Sequence, residues 1–203
     1  MSDVAAVILA AGRSMRFARN EPGATKLAAE LHGKPLVRHV ADAALASAAR
    51  PVIAVTGHAR DRVQDALTGL SVTFVHNEDY ATGLASSLRV GIAAVPPNAP
   101  GAIVLLGDMP LVSADLLDEL VQRFAGDSKI DAIAPVTQGR RGNPVLLARS
   151  LFPAIAGLSG DEGARRLLQD PGIRVIEIPI QGEAAGVDVD TREALEKLRN
   201  SQL

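Results

Sequence analysis

The chain has 203 residues, 47% of them hydrophobic, 22% charged and only 2% aromatic, with a formal net charge of −2. That length suits a single domain with an aliphatic core, and the near-neutral balance excludes a broad nucleic-acid-binding surface. The absence of Cys excludes disulfides, thiol catalysis and thiolate metal sites. No apolar run approaches the roughly 20 residues of a membrane span, and the apolar N-terminus lacks a basic leader, so the expected setting is cytoplasmic, with no membrane and no nucleic acid as partner.

Val4–Leu9 reads as a buried strand that empties into Ala10-Ala11-Gly12-Arg13-Ser14-Met15-Arg16-Phe17. A small-residue loop of this kind lets backbone N–H groups approach phosphate oxygens, while guanidinium groups supply positive charge. Gly12 stands alone, so neither the dinucleotide fingerprint nor the Walker A pattern is met. Pro35–Ala48 follows as a helix, with Pro35 in its first turn and Leu36, Val37, Val40, Ala44 and Leu45 on one face. Pro51–Val55 and Val72–His76 read as strands around a helix at Arg60–Leu67.

Tyr80 to Leu88 carries Gly83, Ser86 and Ser87 into the first turns of a helix over Leu84–Val95. Helix N-termini attract anions, so these hydroxyls could face a nucleotide; N-capping by Thr82 is an equal alternative. Ala102–Leu106 is a second fully apolar strand, ending in Gly107-Asp108-Met109-Pro110. A carboxylate there either holds a cation such as Mg²⁺ or caps the next turn. Ser113 is the expected N-cap of a helix over Ala114–Phe124, and Ala132–Pro135 is the next strand.

Beyond Pro135 the pattern changes. Gly139 to Pro144 reads as an exposed turn leading into Val145-Leu146-Leu147, followed by short helices near Leu151–Ala156 and Glu162–Leu168. A strand at Ile173–Ile178, a Gly-rich bend, Val187-Asp188-Val189-Asp190-Thr191 and a last helix complete the chain. On a strand, Asp188 and Asp190 would point the same way and could hold a metal opposite Asp108; alternatively Asp190 caps the final helix. The four histidines have no metal-ligand spacing. The expected fold is α/β: a three-layer, Rossmann-like, mostly parallel sheet with helices on both faces and a small α+β C-terminal extension. Ligands of such folds lie beyond the carboxyl ends of the strands, where the opening loop and Asp108 both fall. A phosphate loop and a strand-end carboxylate on one edge suggest a metal-assisted nucleotide enzyme.

Taken in order, Leu9-Ala10-Ala11-Gly12 with Ser14 and Arg16, Lys26, Gly33-Lys34-Pro35-Leu36, Val55-Thr56-Gly57-His58, Leu106 to Pro110, Gly139 to Pro144, Gly160 to Arg165 and Asp188 to Thr191 resemble nucleotidyltransferases with a glycosyltransferase-A-like core. More narrowly, the chain resembles the molybdenum cofactor cytidylyltransferases. The resemblance implies one domain over 1–203, with a nucleotide-binding core at 1–135 and an acceptor-side extension at 136–203. It implies that Leu9, Ala10, Ala11, Gly12, Arg13, Gly83, Ser86 and Ser87 bind the nucleotide. Arg16, Lys26 and Asp108 carry catalysis, Asp108 and Asp190 hold Mg²⁺, and Arg141, Asn143, Asp161 and Arg165 face the acceptor. Ala11 stands where guanylyl members usually carry Gly, which favours CTP.

The implied reaction is transfer of CMP from CTP to the terminal phosphate of molybdenum-loaded molybdopterin, with a molybdenum hydroxylase apoenzyme as a partner. Guanylyl transfer to the same cofactor and nucleotidyl transfer to a sugar phosphate reuse the same core. A non-catalytic cofactor chaperone is the alternative from another class, and retention of both Asp108 and Asp190 argues against it. The chain departs from the family pattern in two places. Nine residues, Phe17 to Thr25, separate the arginine from the lysine, with Phe17-Ala18 where a glycine is usual; this stretch is expected to act as a lid. Arg192 stands where many relatives have Pro, a change expected to matter little.

Overall fold

The computed structural model describes residues 4–18, 24–161, 163–180 and 187–200. In chain order the elements are β1 (Ala5–Ala10), β2 (Glu30–Leu31), β3 (Lys34–Pro35), α1 (Leu36–Ala46), β4 (Val52–Thr56), α2 (Arg60–Ala66), β5 (Thr73–His76), α3 (Leu84–Ala93), β6 (Gly101–Leu106), α4 (Ala114–Ala125), β7 (Ala132–Thr137), β8 (Arg140–Arg141), β9 (Val145–Ala148), α5 (Phe152–Ala156), β10 (Val175–Pro179) and α6 (Arg192–Asn200). The main sheet runs β10-β7-β9-β6-β1-β4-β5, with β8 paired to β7. β1 is flanked by parallel neighbours, β4 and β6, and β5 continues in parallel beyond β4. β9 is antiparallel to both β6 and β7. It fills the place between them, so a segment after Pro135 completes the middle of the sheet. β2 and β3 form a separate small hairpin.

Helices cover both faces because the central strands are apolar on both faces. Ala6, Ile8, Val52, Ala54, Ile103 and Leu105 point to one side, where Val37, Val40 and Ala44 of α1, Val63 of α2, and Leu117 and Leu120 of α4 cover them. The intervening residues Val7, Leu9, Ile53, Val55 and Val104 point to the other side, under Ala85, Leu88 and Ile92 of α3 and Ile155 of α5. α3 lies close to the sheet at Gly91, where an added Cβ would come within 2.4 Å of Val7. A third, smaller cluster joins Phe17, Leu31, Leu36, Val189, Leu195 and Leu198, and so ties the opening loop to α6.

Ser113 caps α4 as expected, accepting from the Leu116 N–H at 3.3 Å. Thr82 does not cap α3: its hydroxyl donates to the Asp79 carbonyl at 2.8 Å, and Gly83, at φ +117°, occupies the cap position. The helix expected near Glu162–Leu168 is replaced by turns and a single 3₁₀ turn at Leu167–Gln169; Glu162 itself lies outside the described residues. The backbone there is spent on contacts with α3 instead, since the Gly160 carbonyl accepts from the Ala85 N–H at 3.0 Å. An added Cβ on Gly163 would come within 3.1 Å of Leu84. The segment 187–190 is not a strand. Residues 19–23, within the expected lid, and 181–186, the expected Gly-rich bend, lie outside the described residues.

Candidate functional site

Leu9 and Leu106 are register partners at the ends of β1 and β6, and the Gly107 N–H donates to the Leu9 carbonyl at 3.0 Å. The opening loop and the Asp108 turn therefore leave the sheet side by side. Between them lies a cleft of about 490 Å³, lined by Leu9, Ala11 to Arg16, Lys26, Leu27, Tyr80, Ala81, Gly83, Leu84, Ser87, Leu106, Asp108, Asp161 and Asp190. Gly12 faces open space: a Cβ there would meet nothing within 4 Å, so packing does not demand the glycine and the room is left to a ligand.

Lys26 is the centre of the site's charge. Its ammonium pairs with Asp108 and, at 2.6 Å, with Asp190, while Arg16 reaches the other Asp190 oxygen at 2.8 Å. The lysine and Asp108 side chains are only 14% and 15% exposed. Burial pulls the Lys26 ammonium down, but the two carboxylates, Asp108 ahead of Asp190, more than offset it and leave its pKa raised. Asp190 is held below its ordinary value chiefly by the Lys26 hydrogen bond, against a smaller opposing effect of burial. The lysine is positioned at its own backbone, where the Lys26 N–H donates to the Ser14 hydroxyl at 3.2 Å. Ser14 is also paired with the buried Thr25 hydroxyl at 3.3 Å. The neck of the long insertion is thus closed, and the insertion does not carry Lys26 away from the cleft.

Asp190 and not Asp188 reaches the site. Val189 is fully buried in the small third cluster, Asp188 is exposed, and Asp190 turns into the cleft. The cap of α6 is Thr191, whose hydroxyl accepts from the Ala194 N–H at 3.1 Å, so Asp190 is left to the cleft. Two carboxylates converging on one cationic point make a donor set of hard oxygens with the charge a divalent cation needs.

A second cleft of about 500 Å³ opens from the first and shares Leu9, Leu84, Leu106 and Asp161 with it. Arg141, Asn143, Arg165, Arg166 and Gln169 line its far side. The β7–β8 hairpin presents Arg141, which is braced by Glu177 at 2.7 Å and by the Leu168 carbonyl. Asp161 reaches the shared wall because Gly160 is seated on the α3 N-terminus. An added Cβ on Gly83 would come within 2.3 Å of the Gly160 carbonyl.

The expected nucleotide and catalytic residues Leu9, Ala11, Gly12, Arg13, Arg16, Lys26, Gly83, Ser87 and Asp108 all line the first cleft, with Asp190. The expected acceptor residues Arg141, Asn143, Asp161 and Arg165 all line the second. Ala10 and Ser86 line neither. Ala10 is the fully buried end of β1. Ser86 is turned inward, accepting from Asn77 at 2.8 Å and donating to the Asp79 and Gly83 carbonyls. Its hydroxyl back-bonds within the first turn instead of facing a ligand. Met15, carried by the opening loop but not among the expected binding residues, is 66% exposed and lines the first cleft. Arg192, whose replacement of Pro is expected to matter little, has its guanidinium 5.0 Å from the centre of the Phe17 ring.

A family model described as MobA-like NTP transferase domain matches residues 6–175. The bifunctional protein GlmU of Clavibacter sepedonicus is 32% identical over 197 residues, 95% of this chain but only 37% of that protein. The chain thus spans little more than a third of that curated relative. The crystal structure of Rv0371c from Mycobacterium tuberculosis H37Rv superposes with a TM-score of 0.82 at 28% identity, covering 98% of this chain and all of that one. Its complex with manganese gives a TM-score of 0.80 at 26% identity, with the same coverage. A nucleotidyl transferase from Methanothermobacter, at 21% identity, shares the fold with a TM-score of 0.83 over 98% of this chain and 97% of that one. The family model covers most of the sheet, the second cleft and all of the first but Asp190, and the chain belongs to the MobA-like NTP transferase domain family, whose reaction class is nucleotidyl transfer.

Proposed function

We propose that the protein transfers CMP from CTP to the terminal phosphate of molybdenum-loaded molybdopterin, releasing pyrophosphate and forming molybdopterin cytosine dinucleotide. The observation that carries this reading is the pair of confluent clefts. One holds Lys26, Arg13, Arg16 and the two carboxylates, the other is lined by Arg141, Arg165 and Arg166, and the two meet at Leu9, Leu84, Leu106 and Asp161. Two anionic substrates bound in them meet at that shared wall.

An oxygen of the acceptor phosphate attacks the α-phosphorus in line; the new P–O bond forms as the α–β bridging bond breaks, and its electron pair leaves with pyrophosphate. A phosphate monoester with a second pKa near ~6 is already largely dianionic at neutral pH. No general base is needed, in keeping with the absence of His among the described residues lining either cleft. The protein's work is positioning and charge neutralisation. Arg16 and Lys26 neutralise the triphosphate and then the leaving pyrophosphate. The opening-loop N–H groups around Gly12 approach the phosphates closely. Asp108 and Asp190, hard oxygen donors already drawn to one cation, suit Mg²⁺, which when bound supplies charge stabilisation to the phosphoryl oxygens.

Ala11 supports CTP over GTP. Its methyl backs onto Gly57, where an added Cβ would come within 2.8 Å of it and 2.6 Å of Tyr80. This close packing behind Ala11 favours the smaller base. The product is then handed to a molybdenum hydroxylase apoenzyme.

The test is pyrophosphate release with Mg²⁺ and molybdenum-loaded molybdopterin, offering CTP and GTP separately. Release with CTP alone supports the proposal. Release with GTP alone overturns the base assignment, and release with neither directs the search to sugar phosphates or to a carrier role.

A further inference from the structure

Two features of this chain that depart from the pattern of the resembled family meet in space. Phe17 stands where a glycine is usual and Arg192 where a proline is common. The Arg192 guanidinium lies 5.0 Å from the Phe17 ring centre, and its Nε donates to the Phe17 carbonyl at 3.4 Å. Phe17 is 6% exposed, packed among Leu31, Leu36, Val189, Leu195 and Leu198. The same two segments meet again close by, because Arg16, next to Phe17, pairs at 2.8 Å with Asp190, two residues before Arg192. The opening loop and the start of α6 are therefore clasped at two successive points.

The clasp has a direction. The Arg16 side chain is 70% exposed, and an ion pair that open to solvent cannot fix a long flexible side chain by itself. What fixes Arg16 is its neighbour. A tight turn, with the Phe17 and Ala18 N–H groups both donating to the Ser14 carbonyl at 3.0 and 2.9 Å, sends the Phe17 ring down and leaves Arg16 over the cleft. Arg192 closes the turn from the other side. A cation in the first turn of a helix opposes the helix dipole, and the aromatic face and carbonyl of Phe17 are contacts that offset this at the start of α6.

We infer that Phe17 and Arg192 form a latch that positions Arg16 against Asp190 and so sets the triphosphate grip of the opening loop. Both act as positioning residues and touch neither substrate. The inference rests on the reading of Arg16 as a nucleotide ligand.

The experiment is a double-mutant cycle on nucleotide affinity, measured by calorimetry with CTP and Mg²⁺, on wild type, Arg16→Ala, Arg192→Ala and the double variant. Arg192→Lys serves as the conservative rescue, and thermal melts run alongside. Arg192 is exposed and lies on the surface of α6, so its variants keep the fold where Phe17→Ala risks losing it. The expected result is that Arg192→Ala weakens CTP about 5-fold, the order a cation–π contact carries. The melting temperature hardly moves, Arg192→Lys recovers most of the loss, and the double variant is no weaker than Arg16→Ala alone. If Arg192→Ala binds CTP like wild type, or if its effect adds fully to that of Arg16→Ala, the latch is wrong while the nucleotide role of Arg16 stands. If Arg16→Ala itself binds CTP like wild type, that role fails first and the latch falls with it.

Discussion

The backbone N–H of Val189 donates to the Asp108 carbonyl at 3.0 Å. This one bond joins the two segments that bring carboxylates to the cleft, although they are distant in sequence. It sets Asp190, the next residue after a fully buried valine, at a fixed height beside Asp108. The carboxylates are thus registered by backbone, and the side chains are left to bind.

That arrangement makes Asp108 separable from the fold. Asp108→Ala is expected to lower turnover by at least about a hundredfold, the scale of losing a group that stabilises transition-state charge. The melting temperature should stay close to wild type, because the Val189 bond uses the backbone and Lys26 keeps Asp190 as a partner. Pyrophosphate release and a thermal melt on the same preparation check both halves, and retained turnover would remove Asp108 from the catalytic set.

Lys26 gives a different expectation. Lys26→Met leaves Asp108 and Asp190 facing a common point with Arg16 on one Asp190 oxygen, and should cost about 3 kcal/mol of stability, the low end for losing one partner of a buried pair because Asp190 is 31% exposed. Added Mg²⁺ or Mn²⁺ should raise the melting temperature of this variant more than that of wild type, as the cation takes the place of the ammonium. Equal shifts in the two proteins would argue against a shared cation point.

Gly83 is a test of how the two clefts are joined. At φ +117° and with a Cβ only 2.3 Å from the Gly160 backbone, Gly83→Ala must both strain the turn and push the 160–161 segment off α3. A loss of about 2 kcal/mol or more is expected from the clash and the left-handed conformation together. Gly12→Ala meets no neighbour within 4 Å and should leave the melting temperature nearly unchanged while weakening nucleotide binding. Urea melts of the two variants decide between a structural and a ligand-facing glycine.

A pH effect is expected away from the site. The Lys129 N–H donating to Asp127, the largest cause, together with the Arg174 guanidinium at 2.8 Å, outweighs an opposing effect of desolvation and holds this carboxyl below its ordinary value of 3.8. A folded value below the unfolded one means the contribution is complete above 3.8 and is lost as the pH falls through the lower, folded value. Asp127→Asn should therefore be less stable than wild type at neutral pH, with the gap closing in acid. Thermal melts of both proteins over a descending pH series measure it; a gap that stayed constant would show the charge to be irrelevant.

The acceptor cleft can be probed through Arg165, which lines the second cleft and not the first. Arg165→Ala is expected to raise the KM for the acceptor about tenfold, the loss of one charge-assisted contact, with little change in the KM for CTP. Initial-rate kinetics with each substrate varied in turn separates the two, and a selective effect on CTP would reverse the assignment of the clefts.

By itself the sequence determined the layers of the fold. The unbroken apolar runs at β1 and β6 have to be buried on both faces, and helical periodicity in α1, α3 and α4 supplies the covers. It also located the opening loop and Asp108, since both follow strands whose direction is set by the chain. Tertiary structure decided the rest, because it depended on contacts between distant segments. β9 runs antiparallel through the middle of the sheet, which no local pattern in Val145–Ala148 announces. Asp190 and not Asp188 enters the cleft because Val189 is buried beneath α6. Ser86 turns inward because Asn77 and two carbonyls satisfy it there. Arg192 matters because folding sets it on the ring of Phe17, 175 positions away along the chain, and side-chain stacking at that separation leaves no periodic trace in a sequence.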